Sequence, residues 1–255
     1  MHKRALFFVL ATLLAGVPAL AGGKDEQSGG SMHLVVATDP TFPPMEFVDK
    51  DGAIVGLEVD LMRAAAEAGG FTFEFRSTTW DHIFAGLASG RYEAIMSSVT
   101  ITEDRKKSFD FSIPYLTMAQ VLVVNSGRSC AETLDDLSGQ VVGVLSGSAS
   151  AEEISGLKDG YELTVKTYSD SVPLVTDLAA GRIVAIVIDQ VQARIVESDP
   201  YYSGALKIIG EPLAEEHYGV VVRKNDEIVL DSINKGLKAV LSTDAYAKIL
   251  EKWSR

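Results

Sequence analysis

Apolar residues along this chain come alternately in short unbroken runs and in helically spaced sets. Leu34-Val35-Val36-Ala37 is an unbroken run closed by Thr38-Asp39-Pro40, the signature of a buried strand ending in a turn. Leu57, Leu61, Ala64, Ala65 and Ala68 recur at helical spacing, which predicts a helix over 56–68 stopped by Gly69-Gly70. Phe71, Phe73 and Phe75 alternate with polar residues and predict a strand. A second helix is predicted over 81–89, stopped by Gly90, and a further strand over 92–97. Strand and helix taking turns in this way predict an α/β architecture with a mainly parallel sheet.

The pattern partly repeats. Leu87-Ala88-Ser89-Gly90-Arg91-Tyr92-Glu93-Ala94-Ile95 is echoed by Leu178-Ala179-Ala180-Gly181-Arg182-Ile183-Val184-Ala185-Ile186. The first strand is echoed by Val141–Leu145 before Ser146-Gly147-Ser148. Two halves of similar construction are expected, although Leu-Ala-x-Gly-Arg also serves as ordinary punctuation between helix and strand.

The N-terminus departs from this pattern. Lys3 and Arg4 precede an apolar stretch from Ala5 to about Leu14, and Ala19-Leu20-Ala21 has the small-x-small form of a cleavage site. Residues 1–21 are therefore expected to be a secretory signal peptide. The stretch is short and broken by Gly16 and Pro18, and nothing else reaches the roughly 18 apolar residues of a membrane span. No cysteine follows it to carry a lipid. The mature chain is expected to be exported, soluble and free of membrane insertion, and retained in a periplasm. Residues 22–31, rich in Gly and Ser, suit a flexible lead-in.

Composition narrows the classes. The 255 residues suffice for about two domains. Asp and Glu number 35 against 23 Lys and Arg, a net charge of −12, which disfavours nucleic acid and anionic lipid as partners. One cysteine, Cys130, excludes an intramolecular disulfide and a Cys-rich zinc site, and the four histidines lack metal-ligand spacing. No metal and no cofactor are expected. A nucleophile elbow, a P-loop and H-E-x-x-H are absent, and Ser155-Gly156-Leu157-Lys158 fits S-x-x-K without its companion motifs.

The candidate chemistry lies at strand ends, where open α/β sheets bind ligands. Those ends are Thr38-Asp39, Ser97-Ser98, Ser146-Gly147-Ser148 and Asp189. In Ser97-Ser98-Val99-Thr100-Ile101-Thr102-Glu103-Asp104-Arg105, hydroxyls and a permanently charged planar fork suit a carboxylate. The same stretch is equally consistent with Thr102 as a helix N-cap and Arg105 at the surface. Asp189 follows the apolar run Ile183–Ile188 and needs a partner, either a ligand ammonium, an internal salt bridge or a helix N-terminus. Phe42, in a stiff Pro-rich loop, and Trp80, before a helix, could wall a site or belong to the core. Glu58 and Asp60 are expected to serve the start of their helix, and His82 and His217 to lie at the surface or between lobes.

The ordered set of segments resembles exported solute-binding proteins for polar amino acids, partners of ABC importers. The resemblance covers about residues 33–254. It rests on Ala37-Thr38-Asp39-Pro40-Thr41-Phe42-Pro43-Pro44-Met45-Glu46-Phe47, Gly56-Leu57-Glu58-Val59-Asp60-Leu61, Ser97–Arg105, Phe109–Tyr115, Tyr218–Lys224 and Lys252-Trp253. It implies the type II periplasmic binding protein fold: two α/β lobes, a two-strand hinge and a ligand cleft between them. By the same resemblance, residues 32–118 and 219–255 would form lobe 1 and residues 119–218 lobe 2, with crossovers near Met118–Val121 and Glu216–Gly219. Arg105, Thr100 and Ser98 would hold a ligand α-carboxylate and Asp189 the α-ammonium. Phe42 and Trp80 would sandwich the side chain, Asp39 would meet a polar or cationic head, and Ser148 would add a contact from lobe 2. The family often has Gly-Thr-Thr where this chain has Gly147-Ser148-Ala149, so one hydroxyl is missing. The extra carboxylate of Asp39 favours a basic ligand slightly over glutamine, though Asp39 could instead cap the turn at Pro40.

The implied partners are a free amino acid and an inner-membrane ABC permease, and the chain is expected to be monomeric. Two other uses of the fold remain. An exported cyclohexadienyl dehydratase would carry an acidic residue three positions after Asp189, where this chain has Gln192. An amide is no general acid at neutral pH. A receptor's sensor domain would need a membrane segment or a linked output domain.

Overall fold

The computed structural model describes residues 32–202 and 204–253; the expected signal peptide and lead-in lie outside them. From the N-terminal side, β1 (His33–Thr38) leads into a small antiparallel sheet of β2 (Thr41–Phe42), β3 (Glu46–Val48) and β4 (Ile54–Val55). Next come α1 (Leu57–Gly69), β5 (Thr72–Ser77), α2 (Trp80–Ala88), β6 (Ala94–Ile95), α3 (Glu103–Ser108) and β7 (Phe109–Phe111). The long β8 (Leu116–Asn125) carries the chain into β9 (Val141–Leu145), α4 (Ala149–Leu157), β10 (Thr164–Tyr168), α5 (Ser171–Ala179), β11 (Ala185–Asp189) and α6 (Gln190–Ser198). The long β12 (Leu206–Tyr218) returns to β13 (Val221–Arg223), α7 (Glu227–Leu241) and α8 (Asp244–Trp253).

Two main sheets result, ordered β5-β1-β6-β13-β7 and β10-β9-β11-β8-β12. In each, three strands run parallel, β5, β1 and β6 in one and β10, β9 and β11 in the other. β13 enters the first sheet antiparallel to both neighbours after the chain has passed through the second. Both faces of each sheet are covered, which explains the unbroken apolar runs. Leu34 and Val36 of β1 pack with Leu61 and Met62 of α1 and Ile233 and Leu237 of α7. Ala37 packs with Ile83 and Leu87 of α2 on the other side. In the second sheet Val121 and Val123 face α5 and α6, while Leu122 and Val124 face α4.

Glycine sets the limits of α1. Gly56 precedes it at φ +145, where an added Cβ would lie 2.1 Å from the Met45 carbonyl oxygen, and Gly70 closes it in the left-handed conformation. Asp60 does not merely serve the helix start. Its Oδ2 accepts from Lys252 Nζ at 2.6 Å and Trp253 Nε1 at 2.9 Å, tying α8 to α1. The strand expected over 92–97 shortens to Ala94–Ile95, because the Tyr92 hydroxyl turns to the Ile83 carbonyl and Ser98 adopts φ +47.

β8 and β12 form the two-strand hinge. They pair antiparallel from Leu116↔Tyr218 to Gln120↔Ala214, shift register, and pair again from Ile209↔Leu122 to Leu206↔Asn125. Gly210, at φ +67, lies in the shift. Among the described residues no helix is long and apolar enough to cross a membrane.

Candidate functional site

A cavity opens between the lobes where the carboxyl ends of both sheets meet. Asp39, Phe42, Trp80, Ser98, Thr100, Arg105, Ser148 and Asp189 all line it, so the structure brings the eight predicted residues together. Glu46, Gln120 and Gln192 line it too.

Asp39 follows β1 directly. Its Oδ2 accepts from the Trp80 backbone N–H at 2.9 Å and its Oδ1 from the Thr41 hydroxyl at 2.9 Å. It therefore caps the start of α2 and braces its own loop while facing the cavity. Burial raises its pKa and these bonds oppose the rise. Phe42, on β2, is half-buried opposite Glu46.

Beneath this wall lie two carboxylates to which sequence reasoning gave no place in the site. Glu46 is 1% exposed and Glu58 is 0% exposed. Glu46 accepts from the Ser97 hydroxyl at 2.9 Å. Glu58 accepts from the Ser98 backbone N–H at 2.9 Å, the Ser98 hydroxyl at 2.9 Å and the Tyr115 hydroxyl at 2.6 Å. Glu58 is thus no surface partner of a helix end; it fixes Ser98 in its left-handed turn. Burial, then the adjacent Glu58 charge, pushes Glu46 far up, and burial carries Glu58 to about 7. Two acids in one dry place cannot both ionise, and the hydrogen bond between them leaves the proton on Glu46. The available signal was Glu46 between apolar Met45 and Phe47 on a strand.

Arg105 sits in the first turn of α3, whose N-cap Thr102 accepts its backbone N–H. Both sequence readings of this stretch hold in part: Thr102 is the cap, and Arg105, 8% exposed, is not at the surface. Its Nη1 donates to the Thr100 carbonyl at 2.7 Å, and its Nη2 crosses the cleft to the Gly147 carbonyl at 2.9 Å. Trp80 and Phe84 present their rings at 5.7 and 5.3 Å from the guanidinium carbon. Among the described residues no carboxylate forms a salt bridge with it. Burial lowers its pKa, while Glu152, Glu216 and Asp189 pull the other way.

Lobe 2 and the hinge supply the opposite wall. Asp189 ends β11 and precedes α6 without capping it through its side chain. Its Oδ1 accepts from Gln120 Nε2 at 2.8 Å and from the Tyr218 hydroxyl at 2.5 Å. Gln120 Nε2 also donates to Glu216 Oε2 at 2.6 Å, and the Thr100 hydroxyl donates to the same oxygen at 3.1 Å. The Ser150 hydroxyl donates to Gln120 Oε1, which orients the amide with its N–H groups toward both acids. Burial, then the Asp189 charge, carries Glu216 to about 7, and burial raises Asp189 as well. Ser148 caps α4 and donates to the Leu145 carbonyl at 2.7 Å.

The arrangement differs from the sequence picture in where the hydroxyls point. Ser98 and Thr100 donate to Glu58 and Glu216, and Ser148 to a backbone carbonyl. What faces the cavity most strongly is charge: Asp39 and Asp189 against one guanidinium, with Glu46 beside them in its protonated form. The Arg105 bond to Gly147 spans the cleft, as does that from Trp80 Nε1 to the Ser146 carbonyl at 3.2 Å. His82 and His217 are exposed.

The family model for bacterial extracellular solute-binding proteins, family 3, matches residues 34–255. A probable histidine-binding protein of Neisseria gonorrhoeae is 34% identical over 220 residues, covering 86% of this chain and 81% of the relative. The L-cystine-binding protein TcyJ of Escherichia coli (strain K12) is 30% identical over 258 residues, covering 99% and 96%. Among solved structures, an ancestral arginine-binding protein bound to arginine superposes with a TM-score of 0.79 at 37% identity, covering 87% of this chain and 97% of that one.

Proposed function

The chain belongs to the bacterial extracellular solute-binding proteins, family 3, a family of amino-acid-binding proteins, and on that premise we propose that it binds a free amino acid with a basic side chain. Arginine, lysine, ornithine and histidine rank ahead of glutamine. One observation carries the ranking: the carboxylates of Asp39 and Asp189 face a cavity in which Arg105 is the cation. An amino acid is a zwitterion, and stripping its charges of water is tolerable only when each finds a partner. Arg105 takes the α-carboxylate, with Thr100 and Ser98 beside it. Asp189 takes the α-ammonium. Phe42 and Trp80 hold the side chain, Asp39 meets its cationic head, and Ser148 completes the contact from lobe 2.

Binding closes the hinge of β8 and β12, and the closed form docks on the permease of an ABC importer. Lobe 1 takes residues 32–118 and 219–255 and lobe 2 residues 119–218. The mature protein works in the periplasm as a monomer after loss of residues 1–21.

The test is a thermal-shift screen of the twenty amino acids with ornithine and L-cystine added. The largest rise is expected with arginine or lysine. A rise with glutamate or aspartate alone overturns the reading. A dehydratase is the second reading, and Gln192, an amide on the cavity wall, speaks against it. Loss of prephenate, followed by absorbance, would reverse that.

A further inference from the structure

We propose that Glu216 is a concealed member of the ammonium subsite: it and Asp189 hold a proton in the ligand-free protein, and the ligand ammonium takes that proton's place. The inference rests on the amino-acid reading above and adds a residue that reading does not use.

The geometry is that of a like-charge pair with no cation of its own. Asp189 lines the main cavity; Glu216 lies behind it, 6% exposed, on β12. A single amide, Gln120 on β8, donates to both acids, and Ser150 on α4 locks its orientation. The shared amide brings the two acids together, and burial with the Asp189 charge favours a proton on the pair. Tyr218 supplies a further donor to Asp189 and Thr100 one to Glu216.

The other charged and titratable groups leave the pair one positive charge short. Arg105 of α3 attracts both acids but spends its mapped hydrogen bonds on the Thr100 and Gly147 carbonyls. Glu152 of α4 faces Arg105 and adds negative charge. On β12 itself, His217 and Glu215 are exposed and pair with each other at 3.7 Å, while Tyr218 is a donor. Two carboxyl groups so placed retain a proton until a cation arrives. An ammonium docked on Asp189 is such a cation. The O–H bond of the pair's protonated carboxyl breaks, its electron pair stays on the carboxylate, and the proton passes to solvent buffer.

Proton and ligand therefore compete, and affinity falls as the medium becomes more acid than about pH 7, the value to which Glu216 is pushed. One proton displaced per ligand gives at most about tenfold weaker binding per pH unit.

Two measurements test this. First, carbon-13-labelled glutamate carboxyls of the free protein are titrated by NMR. The resonance absent from Glu216→Gln should titrate near neutrality in the wild type; an ordinary titration near 4.5 overturns the proposal. Should that variant fail to fold, Glu216→Asp assigns the same resonance. Second, calorimetry with L-arginine is run between about pH 8 and about pH 5.5 in buffers of differing ionisation enthalpy. Wild-type affinity should fall about tenfold or more with net proton release, and Glu216→Gln should lose most of both. An equal slope in the variant, or wild-type binding that strengthens in acid, overturns the exchange alone. Arginine that binds at no pH overturns the ligand reading and the exchange with it.

Discussion

Arg105 is a buried cation whose hydrogen bonds go to two carbonyls, and Asp189 is a half-buried acid held by an amide and a phenol. Among the described residues neither forms a salt bridge, so each has most to gain from a zwitterion. Arg105→Ala or Asp189→Ala should each cost on the order of 2–5 kcal/mol of amino-acid binding by calorimetry, because each leaves a ligand charge buried and alone. Affinity unchanged in both variants would remove the site assignment. That these two residues share a cavity was legible in the sequence, since both sit at predicted strand ends. Glu46, Gln120 and Glu216 were not. Glu216 sits between exposed Glu215 and His217, Gln120 opens the continuously buried half of β8 and Glu46 starts β3, and which polar residue of a strand turns into the site depends on partners the local sequence does not name.

At the scale of elements, α1 carries Glu58 to the site and is pinned by its contact with α7. An added Cβ on Gly236 would lie 2.0 Å from the Ala65 carbonyl oxygen, so the two helices touch backbone to backbone. Gly236→Ala should destabilise the fold by about 1–3 kcal/mol or more in denaturant unfolding, as overpacked contacts do. Stability within a few tenths of wild type would mean the helices part easily. The extent of α1 was legible to within a residue, because Gly56 and Gly70 take conformations that punish a side chain. β6 was overestimated. Its apolar run continues past Ile95, but Glu58 draws Ser98 out of the ladder, an interaction between residues 40 apart in sequence.

For the whole molecule, the buried acids set how stability depends on pH. Glu58 and Glu216 are carried to about 7 in the folded protein against an ordinary 4.5. The folded state therefore binds more protons than the unfolded chain between those values. The stability this gives is complete below about pH 4.5 and lost as pH rises through about 7. Asp60 and Asp110, with pKa values lowered from 3.8, act in the opposite sense at more acid pH and leave this window alone. The thermal midpoint of the free protein should therefore fall between about pH 5 and about pH 8, by roughly 2–4 °C for each kcal/mol lost, and the fall should shrink in a Glu58→Gln, Glu216→Gln double variant. A midpoint that climbs with pH over this range would contradict the assignment. Net acidity was plain from composition, but not that part of it is turned inward. The two-lobed plan was partly legible through the Leu87–Ile95 and Leu178–Ile186 echo, whose glycines, Gly90 and Gly181, both adopt positive φ between helix and strand. The bond from the Trp80 indole to the Ser146 carbonyl has a last consequence. The chain's other tryptophan, Trp253, is held by Asp60 on α1, within lobe 1. On the proposed hinge motion, an opening cleft would exchange the Trp80 hydrogen bond for water while Trp253 keeps its partner within lobe 1, giving a fluorescent gauge of closure beside a built-in reference.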